Sequence, residues 1–147
     1  MTNISRAQIE DEAQVFNLFS KLTSRQRSDD YRVDQESGHK VYHKILNNPD
    51  LGIILVAKIN THVVGVITLS YPVAIRCSGS YARIEEYIVD EKYRGQGIGT
   101  MLLEAALKAA RDMDCYDIQV NNPSNLGRPL YLKQGFMNAG DYMRLKL

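Results

Sequence analysis

The sequence has little of several features that mark particular classes of protein. Its 147 residues include two cysteines, and 18 basic against 17 acidic residues leave a formal net charge of +1. The thiols of Cys77 and Cys115 allow at most one disulfide bond, and neither has metal-ligand spacing to a histidine, so we expect free thiols and no bound metal ion. The small net charge gives no global field that would attract nucleic acid or an anionic membrane, and we expect neither as a partner.

Long apolar segments are also missing. Residues 1–8 lack the apolar stretch of a signal peptide, and no 18-residue apolar segment could cross a bilayer. The chain has no internal repeat, low-complexity tract or linker. With 44% hydrophobic residues and the length of one ordinary domain, residues 1–147 are expected to form a single cytoplasmic domain.

Hydrophobic periodicity predicts the order of helices and strands. Apolar residues at helical spacing over residues 9–22 predict a first helix, capped by Asp11 and Gln14, and a shorter second helix is predicted to end before Pro49. Residues 23–32 carry mixed charges without an apolar period and are expected to form a solvated connection. Two β-branched runs that flank residues 60–62 predict a hairpin. The remaining predicted elements are strands over residues 81–89 and 118–120, a long helix between them, a final helix over residues 124–134, and an alternating tail over residues 142–147.

The long helix is the clearest element of the sequence. A strand, a glycine turn, this helix and another strand make a βαβ unit, which predicts parallel pairing of the two strands. The hairpin is antiparallel, so the sheet of this α/β domain is expected to be mixed. One face of the helix is apolar and is predicted to be buried. That face comprises Ile98, Met101, Leu102, Ala105, Ala109 and Met113.

Residues 94–99, with the sequence RGQGIG, connect a strand to the start of this helix. The N-terminus of a helix presents unpaired backbone N–H groups and a partial positive charge, and glycines let a phosphate approach them closely. An anion site is therefore expected here. The dinucleotide-binding fingerprint is excluded because Thr100 replaces its third glycine, and the P-loop is excluded because Gly99 replaces its lysine. A turn that only connects the strand to the helix is the alternative.

Three further segments accompany the glycine turn. Residues 84–90, IEEYIVD, precede it, and Asn125 and residues 130–136, LYLKQGF, follow it. Together these segments resemble the GNAT superfamily of acyl-coenzyme A N-acyltransferases. The motif matches lie in residues 84–136, and the order of elements is similar over nearly the whole chain. The resemblance implies a mixed, mostly antiparallel sheet with a central parallel strand pair splayed around the cofactor, and helices on both faces.

The resemblance also implies that acetyl-coenzyme A (acetyl-CoA) is the acyl donor. Backbone amides of the glycine turn would bind the pyrophosphate, and the pantetheine arm would lie along the end of the preceding strand. A backbone N–H there would face the thioester carbonyl and stabilise its developing negative charge. Gly127 and Pro129 depart from the usual pattern of the final helix, and a shortened helix would move Asn125. The implied cofactor contacts are Tyr87, Ile88, Val89, Arg94, Gly95, Gln96, Gly97, Ile98, Gly99, Thr100 and Asn125.

Acetyl transfer to an amine requires proton transfer, because the nucleophile must be neutral and the departing thiolate must gain a proton. The resemblance implies that Tyr131 is the general acid near the sulfur. It implies Glu85 as the base or the holder of a water relay, with Glu86 as the second candidate. Neighbouring strand residues point to opposite faces, so both glutamates can reach one cleft only if the strand has a bulge. The alternatives are a Tyr131 that only packs in the core and a glutamate that is only solvated.

The predicted function is transfer of an acetyl group from acetyl-CoA to a primary amine, most simply of a small molecule, by direct transfer in a ternary complex. A protein N-terminus or lysine is an alternative acceptor. A noncatalytic acyl-coenzyme A sensing module is another alternative, and it would need neither Glu85 nor Tyr131. The resemblance places the acceptor pocket around residues 25–32, Tyr71, Arg76 and Arg83.

Two further features of the sequence are open to more than one interpretation. The alternating tail over residues 142–147 could pair with a second copy in a homodimer or could close its own sheet. His39, His43 and His62 are expected on helix or turn surfaces, and we assign no chemistry to them.

Overall fold

The computed structural model describes residues 1–26 and 34–147. The strands are β1 (Thr2–Arg6), β2 (Gly52–Ile59), β3 (His62–Ser70), β4 (Val73–Ala74), β5 (Gly79–Ser80), β6 (Ala82–Val89) and β7 (Ile118–Val120). The helices are α1 (Glu12–Gln26), α2 (Gln35–Asn47), α3 (Ile98–Asp112) and α4 (Arg128–Lys133). No helix in these described ranges is both long and apolar enough to cross a membrane.

The main sheet is mixed, as predicted. Its strands follow the order β1-β2-β3-β6-β7, and neighbours are antiparallel except β6 and β7, which are parallel. β4 and β5 form a separate two-stranded sheet. The hairpin, the βαβ unit and the α/β fold class are therefore confirmed. The parallel pairing joins only Ala82–Ile84 to Ile118–Val120, whereas β6 continues to Val89.

Helices cover both faces of the main sheet, as the resemblance implies. One core lies between the sheet and α3, where Leu102, Leu103 and Ala106 are fully buried. The other core lies between the sheet and the pair α1 and α2, and it includes Val15 and Tyr42. Burial of apolar surface on both sides is the main driving force for this arrangement.

The buried face of α3 differs from the predicted one. Met101, which was predicted to be buried, is 37% exposed, and Ala105, Ala109 and Met113 are only partly buried at the edge of the core. Apolar residues cover more than one side of this helix, and packing on β2 and β3 decides which side faces inward. The residues that α3 buries are Ile98, Leu102, Leu103, Ala106, Leu107 and Ala110.

The predicted capping pair at the start of α1 is wrong. The Asp11 carboxylate instead accepts a hydrogen bond from Gln8 N at 2.8 Å. The Gln14 side chain reaches the β2–β3 turn, where its Oε1 accepts a hydrogen bond from Val63 N at 2.9 Å. Sequence reasoning missed this contact because the two partners are far apart along the chain.

Several element bounds also differ from the prediction. β1 was not predicted, because its sequence TNISR shows no clear apolar alternation. α1 extends to Gln26, so the predicted connection over residues 23–32 begins later, and its remainder lies outside the described residues. The final helix is shorter than predicted and begins at Arg128.

The alternating tail does not close its own sheet. In the described chain, residues 142–147 form no strand and are exposed. The edge strand β7 has only three residues and offers few backbone groups for pairing. Pairing of the tail with a second copy stays a prediction.

The packing of α3 can be tested by comparing two neighbouring residues. We expect Leu102→Ala to lower the free energy of unfolding by about 2–5 kcal/mol, because it removes a fully buried side chain and leaves a cavity. Met101→Ala is the matched control and should cost only about 0.5 kcal/mol, as is usual for surface positions. Urea unfolding followed by circular dichroism measures both values. Equal losses would contradict the observed orientation of α3.

Candidate active site

A cleft of about 740 Å³ lies between the end of β6, the start of α3 and the residues around α4. Its walls come from residues 87–91, 93–95, 97–100, 124, 126, 127 and 129–131, and Lys21 of α1 also contributes. β6 borders the cleft along the part of the strand that no longer pairs with β7. Three segments that are separated in sequence therefore meet at the splayed strand.

The glycine turn has a backbone that suits close approach of a ligand. Gly95 and Gly97 have φ angles of 77° and 82°, in the left-handed region that favours glycine. A Cβ added at either position would meet no atom within 4 Å, so both glycines face open space. The first backbone hydrogen bond of α3 runs from Met101 N to Gly97 O at 3.1 Å, so residues 98–100 have no acceptor for their N–H groups within the helix. These donors and the helix dipole favour an anion at this end of the cleft.

Side-chain contacts fix the glycine turn against β6. Arg94 Nε donates a hydrogen bond to Val89 O at 3.1 Å, and the Tyr87 hydroxyl donates to Gly99 O. A Cβ added at Gly99 would lie 3.1 Å from both Tyr87 Oη and Leu130 Cδ1. This glycine therefore lets the start of α3 approach the strand and α4 closely.

The open edge of β6 presents backbone groups to the cleft. Asp90 N donates to Val64 O of β3 at 2.8 Å, and backbone groups alternate between the two edges of a strand. The N–H and C=O groups of Val89 and Tyr87 therefore point away from β3, toward the cleft. Among the described residues no strand pairs with this stretch, so both N–H groups can bind a ligand that lies along the edge.

Tyr131 lies on the wall of the cleft that α4 provides. Its ring packs against Tyr87 and Phe136, with centroids 5.9 and 5.2 Å apart. Burial raises the pKa of Tyr131, so its hydroxyl stays protonated at neutral pH. The Tyr87 hydroxyl is engaged by Gly99 O, whereas the Tyr131 hydroxyl has no hydrogen-bond partner in the described part of the chain.

Glu85 and Glu86 lie at a β-bulge in β6. A bulge is the feature that would let both carboxylates reach the same cleft. Glu86 pairs with Thr68 of β3, and Glu85 is the extra residue of the bulge. The Glu86 carboxylate accepts a hydrogen bond from the Thr68 hydroxyl, and Glu85 accepts one from Ser70 Oγ at 2.5 Å. Burial raises the pKa of Glu86, the Thr68 hydrogen bond opposes this rise, and the neighbouring charge of Glu85 adds to it.

Most of the predicted cofactor contacts line this one cleft. Gln96 and Asn125 do not, and both are exposed. Asn125 precedes a helix that begins only at Arg128, so the shortened helix that the sequence suggested is present. Glu85 and Glu86 also lie outside the lining, on the strand that borders it.

Sequence reasoning missed several lining residues. Most of them adjoin the recognised motifs and could have been found by extending those motifs by a few positions. The sequence marks Gly127 and Pro129 only as departures from the family pattern, and in the structure a Cβ at Gly127 would lie 3.1 Å from Tyr131 Cε2. Lys21 had no sequence signal, since it lies on α1, far from the motifs in sequence. The missed residues are Lys21, Asp90, Glu91, Tyr93, Ser124, Leu126, Gly127, Pro129 and Leu130.

The arginines of the implied acceptor pocket meet at one aromatic ring. The guanidinium carbons of Arg76 and Arg83 lie 5.0 and 5.6 Å from the centre of the Tyr81 ring. Arg83 also donates to the Tyr81 hydroxyl at 2.8 Å, but its buried Nε has no hydrogen-bond partner among the described residues. Tyr71 is buried, and the side chains of residues 25–32 lie outside the described ones.

Known proteins are similar to this chain in sequence and in fold. A model of the acetyltransferase (GNAT) family matches residues 14–136. The glucosamine 6-phosphate N-acetyltransferase of Trypanosoma brucei brucei is 33% identical over 76 residues, which are 52% of this chain and 51% of that protein. The chain thus spans about half the length of the curated relatives that it matches.

Solved structures are similar over nearly the whole chain. The glucosamine-6-phosphate N-acetyltransferase of Arabidopsis thaliana has a TM-score of 0.82 at 21% identity, over 99% of this chain and 98% of that chain. A predicted acetyltransferase from Clostridium acetobutylicum, solved with acetyl-CoA, has a TM-score of 0.81 at 22% identity, over 99% and 96% of the two chains. These likenesses define the fold as that of an acetyltransferase. Because the family match covers most of its length, the chain belongs to the acetyltransferase (GNAT) family.

Proposed function

We propose that the protein transfers an acetyl group from acetyl-CoA to a primary amine of a small molecule, by direct transfer in a ternary complex. The observation that carries this proposal is the cleft in which the glycine turn, the open edge of β6 and Tyr131 meet. Each of these parts corresponds to one chemical requirement of acetyl transfer. Use of acetyl-CoA as the donor is a property of the family to which the chain belongs.

The glycine turn would bind the pyrophosphate of acetyl-CoA. The free N–H groups at the start of α3 supply donors, and the helix dipole favours the negative charge. Gly95 and Gly97 leave the space in front of these donors open. Arg94 lines the same end of the cleft and adds a positive charge.

The open edge of β6 would hold the pantetheine arm and the thioester. A ligand with amide groups can pair with a free strand edge through backbone hydrogen bonds, as an added strand does. The outward N–H groups of Tyr87 and Val89 then offer donors to the thioester oxygen. Such donors are most effective where the carbonyl oxygen gains negative charge in the transition state.

Tyr131 would donate a proton to the departing sulfur. Its hydroxyl is protonated at neutral pH and has no hydrogen-bond acceptor among the described residues, so it can turn to the leaving group without breaking a contact. The sulfur gains charge as the carbon–sulfur bond breaks, and a nearby O–H stabilises that charge.

The glutamates would remove the proton of the amine, directly or through water. Side chains alternate between the two faces of the sheet along β6. Ile88 packs in the core of α1 and α2, whereas Tyr87 packs in the core of α3, so Glu86 lies on the same face as Ile88. The amine would then approach the edge of β6 from the side of α1 and α2. We propose Glu86 as the base and Glu85 as the second candidate, the reverse of the order that the sequence suggested, because the raised pKa of Glu86 makes it more basic.

A small amine is the proposed acceptor because matched relatives are named for acetyl transfer to glucosamine 6-phosphate. The guanidinium group of Arg83, which lies on the strand that carries both glutamates, would attract an anionic group of such an acceptor. A protein N-terminus or lysine is the alternative acceptor. Acyl-coenzyme A sensing without catalysis is the alternative function.

The proposal also covers the cellular location and the oligomeric state of the protein. We expect the protein to act in the cytoplasm. We also expect the exposed tail to pair with a second copy in a homodimer, because Met143, Leu145 and Leu147 would otherwise leave apolar side chains in water.

A panel of amines tests the reaction itself. We expect acetyl-CoA to release free thiol in the presence of small primary amines, and most rapidly with an amine that carries a phosphate, such as glucosamine 6-phosphate. Glucosamine, spermidine, free lysine and an unblocked peptide complete the panel, and a thiol reagent follows the release. Release with the peptide alone would favour a protein acceptor. Binding of acetyl-CoA without release by any amine would favour the sensing module.

The role of the glycine turn can be tested with a matched pair of substitutions. Gly97→Ala should weaken acetyl-CoA binding at least about tenfold, or about 1.4 kcal/mol, because the new methyl group occupies the open space that the pyrophosphate needs. Gly135→Ala is the control, since Gly135 also has a positive φ with no atom near its Cβ but lies outside the cleft lining. Both variants carry the strain of a left-handed alanine, about 1–2 kcal/mol. Calorimetry measures the affinities, and equal values in the two variants would mean that the turn is only structural.

The acid role of Tyr131 predicts a loss of rate without a loss of binding. Tyr131→Phe keeps the buried ring and removes the hydroxyl, so the single-turnover rate should fall about 100-fold to 10,000-fold while acetyl-CoA affinity is unchanged. Tyr42→Phe is the control for hydroxyl removal outside the cleft. It loses a 2.6 Å hydrogen bond to Gln8 O, and it should lower the melting temperature but not the rate. A Tyr131→Phe variant that keeps more than about half of its rate would exclude the acid role.

A further inference from the structure

We propose that Glu12, His39 and His43 form a binding site for a divalent transition-metal ion, with zinc as the best fit. Glu12 lies at the start of α1, and the two histidines lie one turn apart on α2. One ligand atom from each residue lies within 4.8 Å of the other two. None of the three lines the cleft, so this site is separate from the proposed acetyl-transfer site.

The distances between the side chains are close to those of a metal centre. His39 Nδ1 lies 2.6 Å from Glu12 Oε1, and His43 Nε2 lies 3.1 Å from Glu12 Oε2. Two ligands about 2.0–2.1 Å from a tetrahedral zinc ion are about 3.3 Å apart, so the shorter pair must open by only about 0.7 Å. The imidazole rings lie side by side, with centroids 4.1 Å apart, and both turn a nitrogen toward the same carboxylate.

Buried contacts anchor the residues next to this cluster. Asp11, next to Glu12, is buried and forms an ion pair with Lys58 Nζ at 2.8 Å. Tyr42, next to His43, is also buried, and its hydroxyl donates to Gln8 O at 2.6 Å. The backbone that carries the ligands is therefore fixed before a metal binds, which lowers the cost of assembling the site.

The chemistry of the ligands favours zinc. Two imidazoles and one carboxylate make a common zinc ligand set, and it leaves a fourth position for water. Magnesium and calcium prefer sites built from oxygen atoms alone. The His39 side chain is 56% exposed, so the site is open to an ion from solution. Bound zinc would join α1 to α2 and stabilise the folded state by mass action.

Zinc titration of the tag-free protein, after treatment with a chelator and dialysis, tests the proposal. We expect calorimetry to give one zinc ion per chain and a melting temperature that rises with zinc concentration. His39→Ala and His43→Ala should each weaken binding at least tenfold. His62→Ala is the matched control, because this third histidine lies on β3 against Tyr93 and should leave binding unchanged. Both cysteines are free thiols, so all measurements use the Cys77→Ser, Cys115→Ser background.

A second measurement does not depend on whether the alanine variants fold. Proton NMR of the unsubstituted histidines should show the imidazole signals of two of the three residues shifting with zinc while the third stays in place. Cobalt in place of zinc should give the visible absorption of a low-coordinate site. Hydrogen bonding between Glu12 and the two imidazoles without metal affinity is the competing explanation. Lack of binding, or binding that survives loss of both His39 and His43, would overturn the proposal.

Discussion

The early separation of β6 from β7 is the constraint on which the rest of the site depends. The two strands pair only up to Ile84, and the bulge at Glu85 follows immediately. A bulge bends a strand and increases its twist, so it carries the remainder of β6 away from its parallel neighbour. The same bulge changes which residues face each side of the sheet, so Tyr87 reaches the α3 side and Glu86 the opposite one. One irregular residue therefore provides both the open strand edge and the neighbouring carboxylate.

The position of α3 follows from contacts with the strands beneath it. A Cβ added at Gly65 of β3 would lie 2.9 Å from Leu102 Cδ1, so glycine at this position lets the helix pack directly on the sheet. The hydrogen bond from Tyr87 to Gly99 O then ties the first turn of the helix to β6. The N-terminal end of α3, where we propose that the pyrophosphate binds, is thus held beside the free edge of β6 by the same packing that forms the core.

Local patterns predicted those parts of the structure that depend on neighbouring residues. The hairpin, the βαβ unit and the glycine turn each have a compact signal in the sequence, and Tyr131, which its motif singled out, lines the cleft. The capping of α1 and the inward face of α3 could not be predicted, because partners distant in sequence decide them. The Gln14 contact with Val63 and the packing of Leu103 against the sheet are such cases. The pairing of Glu12 with His39 and His43 was missed for the same reason, since spacing along α2 reveals only the two histidines.

The raised pKa of Glu86 gives a physical reason to favour it over Glu85 as the proposed base. Its pKa is raised in the folded state, so the folded protein holds this proton more tightly than the unfolded chain does. The group therefore contributes stability below its unfolded pKa, and that contribution is lost as the pH rises through the folded pKa. At neutral pH the ionised carboxylate of Glu86 destabilises the folded state. The hydrogen bond from Thr68 reduces this destabilisation, and the charge of Glu85 increases it. Carboxyl groups whose pKa is raised by burial are concentrated at functional sites. A raised pKa is needed there because the carboxylate must take a proton from an ammonium group. The negative charge of exposed Glu85 raises the pKa of its neighbour Glu86 further.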